Sequence, residues 1–217
     1  MASLPADVRR AQLIAAAITV ATRDGIDAAT TRRIAKEVGV AVGVVHYCFG
    51  TKQNLYREVI RSIVDEMTQS IALASRPGDD LRSYLSRAVE AYCTAVEAEP
   101  DKHRLTYELT TYAVRTPNLE ELGDWQYHCY FAAAREFFLT AAETAGIEWT
   151  TSADTLARML IAVNEGLTLA WLVDRRGDKL REVYAAFVDQ LLALAVPASS
   201  GGDPARTAPG ADAGERR

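Results

Sequence analysis

The spacing of the prolines is what most constrains this chain. The seven prolines stand at 5, 77, 100, 117, 197, 204 and 209, so 6–76 and 118–196 hold none. Proline removes a backbone donor and clashes with the preceding turn, so two long proline-free spans leave room for long helices. Alternating apolar and polar stretches are short, and Ala, Leu, Glu and Arg dominate. An all-α fold is expected. The predicted helices cover about 6–23, 30–39, 41–47, 51–75, 79–98, 102–115, 118–145, 153–175 and 178–195. Most of the breaks between them carry Gly or Pro: Asp24-Gly25, Gly39, Gly50-Thr51, Pro77-Gly78, Pro100, Pro117, Gly146 and Gly177. On the first helix Val8, Ala11, Ile14, Ala15 and Ile18 share one face and are expected to be buried.

A chain of 217 residues makes one large domain or two small ones. Beyond Val196 the composition turns to Pro, Gly, Ala, Ser and charge, so 197–217 reads as a disordered tail. Three cysteines, Cys48, Cys93 and Cys129, are an odd number without paired spacing. A disulfide framework is not expected and a cytoplasmic location is. The N-terminal apolar residues are broken by Asp7, Arg9, Arg10 and Gln12, so no signal peptide is expected, and no transmembrane helix either.

The charge is uneven. The whole chain is at −5, yet residues 1–62 carry nine Lys/Arg against five Asp/Glu, a net of +4. A basic front on an acidic body is compatible with nucleic acid despite a pI near 5.3. Within that front, two short helices meet at Gly39, the pattern of a helix-turn-helix. Val38 and Val40 would pack the corner, and Val45 and Phe49 would anchor the third helix. Its outer face would carry Val42, Gly43, His46 and Tyr47. Val42 and Val44 have methyls for thymine, and His46 has a ring nitrogen for a base edge or a phosphate. Thr30, Thr31, Tyr47 and Lys52 are phosphate partners, with Arg32 and Arg33 beside them. On spacing alone, a basic helical hairpin with solvated charges remains the alternative.

The run Thr30-Thr31-Arg32-Arg33-Ile34-Ala35-Lys36-Glu37-Val38-Gly39-Val40, then Gly43, then Phe49-Gly50-Thr51-Lys52-Gln53-Asn54-Leu55, closely resembles the signature of TetR-family transcriptional regulators. The resemblance spans residues 8 to about 65. It implies a three-helix DNA-binding head over 8–68 and a helical ligand-binding and dimerisation body over 69–196. It also implies a homodimer on a palindromic double-stranded operator, released by a small-molecule effector. Carried over by position, Thr30, Thr31, Tyr47 and Lys52 would contact phosphates. Arg32, Val42, Gly43, Val44 and His46 would lie nearest the bases. His46 and Tyr47 depart from the commonest pattern, in which Tyr or Arg is followed by His. The body's helix count and lengths are similar to the choline-responsive-repressor branch, without implying that ligand.

The helix at 153–175 carries large apolar residues on more than one face and that at 178–195 carries an apolar stripe; a four-helix dimer interface would bury both, and the alternative is that they close the monomer core. The middle helices gather rings and weak polar groups. Trp125, His128 and Cys129 share one face, and Tyr107 and Thr111 share part of another. With Tyr92, Asn164 and Trp171 these are the candidate ligand-binding residues. Glu165 or Glu108 beside such rings would favour a cation. No phosphate loop, nucleophile elbow or metal-ligand spacing is present, so neither catalysis nor a cofactor or metal is expected. Two other readings share the pattern: a helical carrier or enzyme with a basic cap, and an activator of the same fold.

Overall fold

The computed structural model of the chain describes residues 5–76, 78–117 and 119–198. Among these, nine helices and two short strands occur: α1 Ala6–Asp24, α2 Thr31–Val38, α3 Val42–Phe49, α4 Lys52–Ala74, α5 Leu81–Ala98, α6 Pro100–Arg115, α7 Glu120–Ala145, β1 Ile147–Trp149, α8 Ala153–Asp174, α9 Gly177–Leu192 and β2 Ala195–Pro197. Side-chain caps start several of them. Thr30, Thr51, Asp80 and Ser152 accept from the backbone N–H three residues on, at 2.7–3.2 Å. Pro100 opens α6, where its missing donor costs nothing.

The buried stripe of α1 is Leu13, Ala16, Ala17 and Val20, not the expected one. Ile14 and Ile18 are half-buried, while Val8, Ala11 and Ala15 face out. An alanine-rich helix offers several faces of similar hydrophobicity. The larger Leu13 and Val20 decide which one meets α2, α4 and α6.

One core runs from the head into the body. Ala17, Val20, Ile34, Val45, Leu55, Tyr56 and Val59 join Leu105, Leu109 and Ala113 of α6 and Leu122 of α7. The expected boundary after residue 68 falls inside α4, and residues of α6 and α7 pack into the core of the head. A second core joins α5, α7, α8 and α9 through Leu81, Leu85, Phe138, Leu156 and Val188. A third lies around Cys93, Val96, Trp171, Leu180 and Tyr184. Arg181 fastens α9 to α5, reaching Glu97 at 2.7 Å and Glu90 at 3.0 Å.

The expected last helix stops early. After Leu192 the chain turns into β2, which pairs antiparallel with β1 in the register Ile147↔Pro197 and Trp149↔Ala195. The Trp149 indole N–H donates to Phe138 O at 2.9 Å, pinning this ribbon on α7. Pro197, expected to begin a tail, is a strand residue here. Residues 199–217 of that tail lie outside the described residues.

Among the described helices, α8 is long and apolar enough to cross a bilayer by composition, where none was expected. Midway along it, however, Glu165 accepts from Tyr127 and Asn164 accepts from Tyr184. It exposes Met159, Leu169 and Val173, and α9 exposes Val183.

Candidate DNA-reading surface and effector site

The head geometry follows from a few local residues. Gly39 adopts φ 74°, ψ 34°, the left-handed conformation that ends α2 and turns the chain. Val40 N–H then returns to Ala35 O at 2.9 Å. Ile34, Ala35, Val45 and Phe49 are buried and fix α3 against α2. Gly43, His46 and Tyr47 are left on one exposed face, with Tyr47 86% accessible. Val42 and Val44 are half-buried and packed against the core, so only part of each faces outward. A ring nitrogen of His46 lies 3.4 Å from Gly50 O.

The basic residues divide into tied and free. Arg33 pairs with Asp24 at 2.7 Å, and Arg23 with Glu37 at 3.0 Å. Among the described residues Arg32 has no ion-pair partner, and neither does Lys36 one turn on. Lys36 is an exposed cation that the reading of site residues omitted. Thr30 is exposed at its cap, and Thr31 is half-buried. Lys52 is placed differently from expectation. Its ammonium lies over the rings of Tyr56 and Tyr112, 5.0 and 5.6 Å from their centroids. Burial lowers its pKa, opposed by Asp27. Lys52 therefore stands at the seam between α4 and α6.

In the body, the expected pocket residues separate. Trp125 and Cys129 lie on the side of α7 that meets α4, away from Tyr107. Trp125 sits under Arg61 of α4, Cys129 feels Arg61 and Asp65, and His128 is exposed. Thr111 is exposed one turn beyond Tyr107. Trp171 belongs to the third core, with Arg175 over its ring at 4.6 Å.

Tyr92, Tyr107 and Asn164 do converge, together with residues from the adjoining faces of α6, α7, α8 and α9. Tyr92 shares a 2.8 Å hydrogen bond with Thr168, and Tyr184 donates to Asn164 Oδ1 at 2.8 Å. Tyr107 O–H donates to Glu165 O at 2.8 Å, and Tyr127 O–H donates to the Glu165 carboxylate at 2.8 and 2.9 Å. Gln126, fully buried, donates to Tyr130 at 2.8 Å and to Thr106 O at 3.2 Å, while its own carbonyl oxygen has no partner. Burial raises Tyr92 and Tyr130 to about 12, so both phenols remain neutral donors. His103 packs edge-on to Tyr92, 6.1 Å between centroids, and burial holds its pKa down at about 4. Among the described residues Glu165 has no cationic partner. Tyr127, Tyr130 and Glu165 stood out in the sequence only as residue types. Their shared side is set by helix packing.

A family model described as bacterial regulatory proteins of the tetR family matches residues 13–59, and one described as BetI-type transcriptional repressor, C-terminal, matches 81–193. The chain belongs to the TetR family. It is a ligand-responsive transcriptional regulator rather than an enzyme. TetR-family regulators bind operator DNA and small-molecule effectors, and act as dimers. The nicotine-responsive transcriptional repressor HdnoR of Paenarthrobacter nicotinovorans is 27% identical over 184 residues, covering 85% of this chain and 94% of that one. The regulator BetI of Vibrio atlanticus (strain LGP32) is 24% identical over 191 residues, covering 86% and 92%. Two solved TetR-like folds superpose well. A transcriptional regulator from Rhodococcus sp. Rha1 has a TM-score of 0.67 at 24% identity, over 87% of this chain and 99% of that one. A regulator from Saccharomonospora viridis in complex with choline has 0.63 at 22%, over 84% and 96%. At these identities the structural likeness speaks for the fold alone.

Proposed function

We propose that this TetR-family protein is a cytoplasmic homodimeric repressor, released from a palindromic operator by a small organic cation. The observation that carries the effector class is Glu165. It is a half-buried carboxylate among tyrosines, hydrogen-bonded by Tyr127 and lacking a cation. An unpaired charge in such surroundings is costly, and a cation among the rings would offset that cost. The nicotine-responsive relative and the choline complex support an amine or quaternary ammonium. Tyr92, Tyr107, Tyr127, Tyr130 and Asn164 would wall the site, and the Gln126 oxygen would accept from a ligand donor.

In the dimer, the bare apolar faces of α8 and α9 would pair with their two-fold copies as a four-helix interface. This would hold two α3 helices about one DNA turn apart, roughly 34–36 Å. Gly43, His46 and Arg32 would face bases, with the outer methyls of Val42 and Val44. Thr30, Thr31, Tyr47 and Lys36 would take phosphates, with Lys52 joining them once it leaves its rings. On this reading 8–68 would serve as the DNA-binding part and 69–196 as the effector and dimer part. A cation binding more tightly to the wrongly spaced conformer would empty the operator. A swing from 99:1 to 1:99 needs about 5.5 kcal/mol of differential affinity.

The test begins with selection of duplexes from a random pool at two salt concentrations. The expected result is a palindrome whose affinity falls steeply with salt. The recovered complex is then titrated with choline and nicotine as probes. Release of the wild type by one of them, with Glu165→Gln at least tenfold less responsive, is expected. No enriched sequence at low salt would overturn the regulator mechanism. Equal response of wild type and Glu165→Gln would overturn the cation site.

A further inference from the structure

Away from the tyrosine cluster, a cavity of about 220 Å³ opens between α1, α3, α4 and α7. Its wall carries three arginines: Arg10 of α1 and Arg57 and Arg61 of α4. Phe49 and Trp125 close it with aromatic rings, 4.7 Å from the Arg10 guanidinium and 5.6 Å from that of Arg61, respectively. A water occupies about 30 Å³ of liquid, so the space holds about seven waters or one small organic acid.

The charges around it are poorly matched. The carboxylate within the wall is Glu58, and it stands 3.7 Å from Arg10 and 4.0 Å from Arg61. Among the described residues Arg57 reaches the exposed carboxylate of Glu121, at 3.5 Å, and the Asn54 side-chain oxygen at 3.3 Å. Its Nε–H is buried with no acceptor among the described residues. Arg10 also donates to Cys48 O. By contrast, Arg181 pairs closely with Glu97 at 2.7 Å and Glu90 at 3.0 Å. Further along α4 a neighbouring cavity is lined by Asp65 and Glu66, which bounds the basic stretch.

We infer that this cavity is a second ligand site, for a small molecule bearing a carboxylate or phosphate. Guanidinium groups present a planar fork of donors that fits either oxyanion. Arg57, Arg61 and Arg10 line the cavity and supply the donors, the last two turning from Glu58, which they hold at 4.0 and 3.7 Å. Trp125 and Phe49 take the apolar body of the ligand. The occupant touches head residues on α1 and α3 and a body residue on α7, so it bridges the two.

Calorimetric titration of the full-length dimer with inorganic phosphate and with benzoate tests this, at ionic strength held constant with chloride. Saturable binding of one of them, near one per protomer, is expected. Arg57→Gln and Arg61→Gln, each verified as folded by circular dichroism, should each weaken it about tenfold. Glu58→Gln removes the competing carboxylate and should tighten it, a sign that misfolding would not produce. Glu165→Gln should leave it unchanged, which separates this site from the cation site. No saturable binding of either probe overturns the inference. So does wild-type affinity in both arginine variants, or weaker binding in Glu58→Gln.

Discussion

His103 makes the stability of this protein depend on pH in a calculable way. It is 8% exposed and lies against Tyr92, and burial, reinforced by Lys102, lowers its pKa from 6.5 to about 4. Glu99 and Glu66 oppose the shift without cancelling it. The folded state therefore prefers the neutral ring. Above about pH 6.5 both states are neutral and the group contributes nothing. As pH falls below 6.5 the unfolded chain takes up a proton that the folded chain refuses, and stability drops until about pH 4. At 1.36 kcal/mol per unit, the full loss is about 3 kcal/mol, and about 2 kcal/mol of it falls between pH 7 and pH 5. The perturbation is His103→Gln, and the assay is urea unfolding of both proteins at pH 7, 6 and 5. Protomer concentration is held fixed because the dimer couples to folding. Carboxylate titrations are common to both proteins and cancel in the difference. The wild type should lose about 2 kcal/mol more than the variant over this range. Parallel curves, within about 0.5 kcal/mol, would refute a buried neutral imidazole at this position.

Other consequences are equally direct. Tyr47→Ala should leave stability within about 0.5 kcal/mol, because the side chain is 86% exposed, while operator affinity falls; unfolding and DNA binding measured together check both. Arg32→Ala should cost about 1–3 kcal/mol of operator binding if it reaches a base, read as relaxed preference in a repeat duplex selection. Phe138→Ala removes a fully buried ring that meets Trp149 edge-on, so chemical unfolding should register a loss of about 3–5 kcal/mol. Tyr112→Ala removes one of the two rings over Lys52 and detaches α6 from Tyr56, so operator release should need more effector and unliganded affinity should not fall. Unchanged effector dependence in that variant would remove the seam from the coupling path.

Legibility tracked how local the determining forces are. The helix-turn-helix was readable because its instructions lie within a few residues. Thr30 and Thr51 cap, Gly39 takes the left-handed turn, and Val45 and Phe49 anchor. The face of α1 was not, since alanine lets several faces pass as apolar. In α7 rings sit on opposing sides, and only neighbouring helices decide between them. Trp125 and Cys129 went to α4, Gln126 and Tyr130 to α6. The β1–β2 ribbon pairs three residues with three others almost fifty positions away, beyond any local signal. Glu165 was visible as a carboxylate near rings, but its lack of a cation is a tertiary fact.

The coupling between body and head also reads differently in three dimensions. From the sequence, α4 is the natural lever, because it runs out of the head. The structure gives α6 a stronger claim. One side of this helix holds His103 and Tyr107 at the tyrosine cluster. Another buries Leu105, Leu109 and Ala113 in the head core. Its end brings Tyr112 against Tyr56 and Lys52, and Arg115 to Asp27 at 3.1 Å. Arg104 donates to Thr22 O at 3.1 Å, tying the same helix to α1. Sixteen residues of helix span about 24 Å. A tilt of about 5° at the cluster therefore moves the Arg115 end by about 2 Å, the scale of helix shifts in switching proteins. A close-packed core cannot absorb that displacement at Leu109 and Ala113 without moving α1 and α4 as well. A ligand that spread the tyrosines would thus act on the head through packing, with α4 following rather than leading.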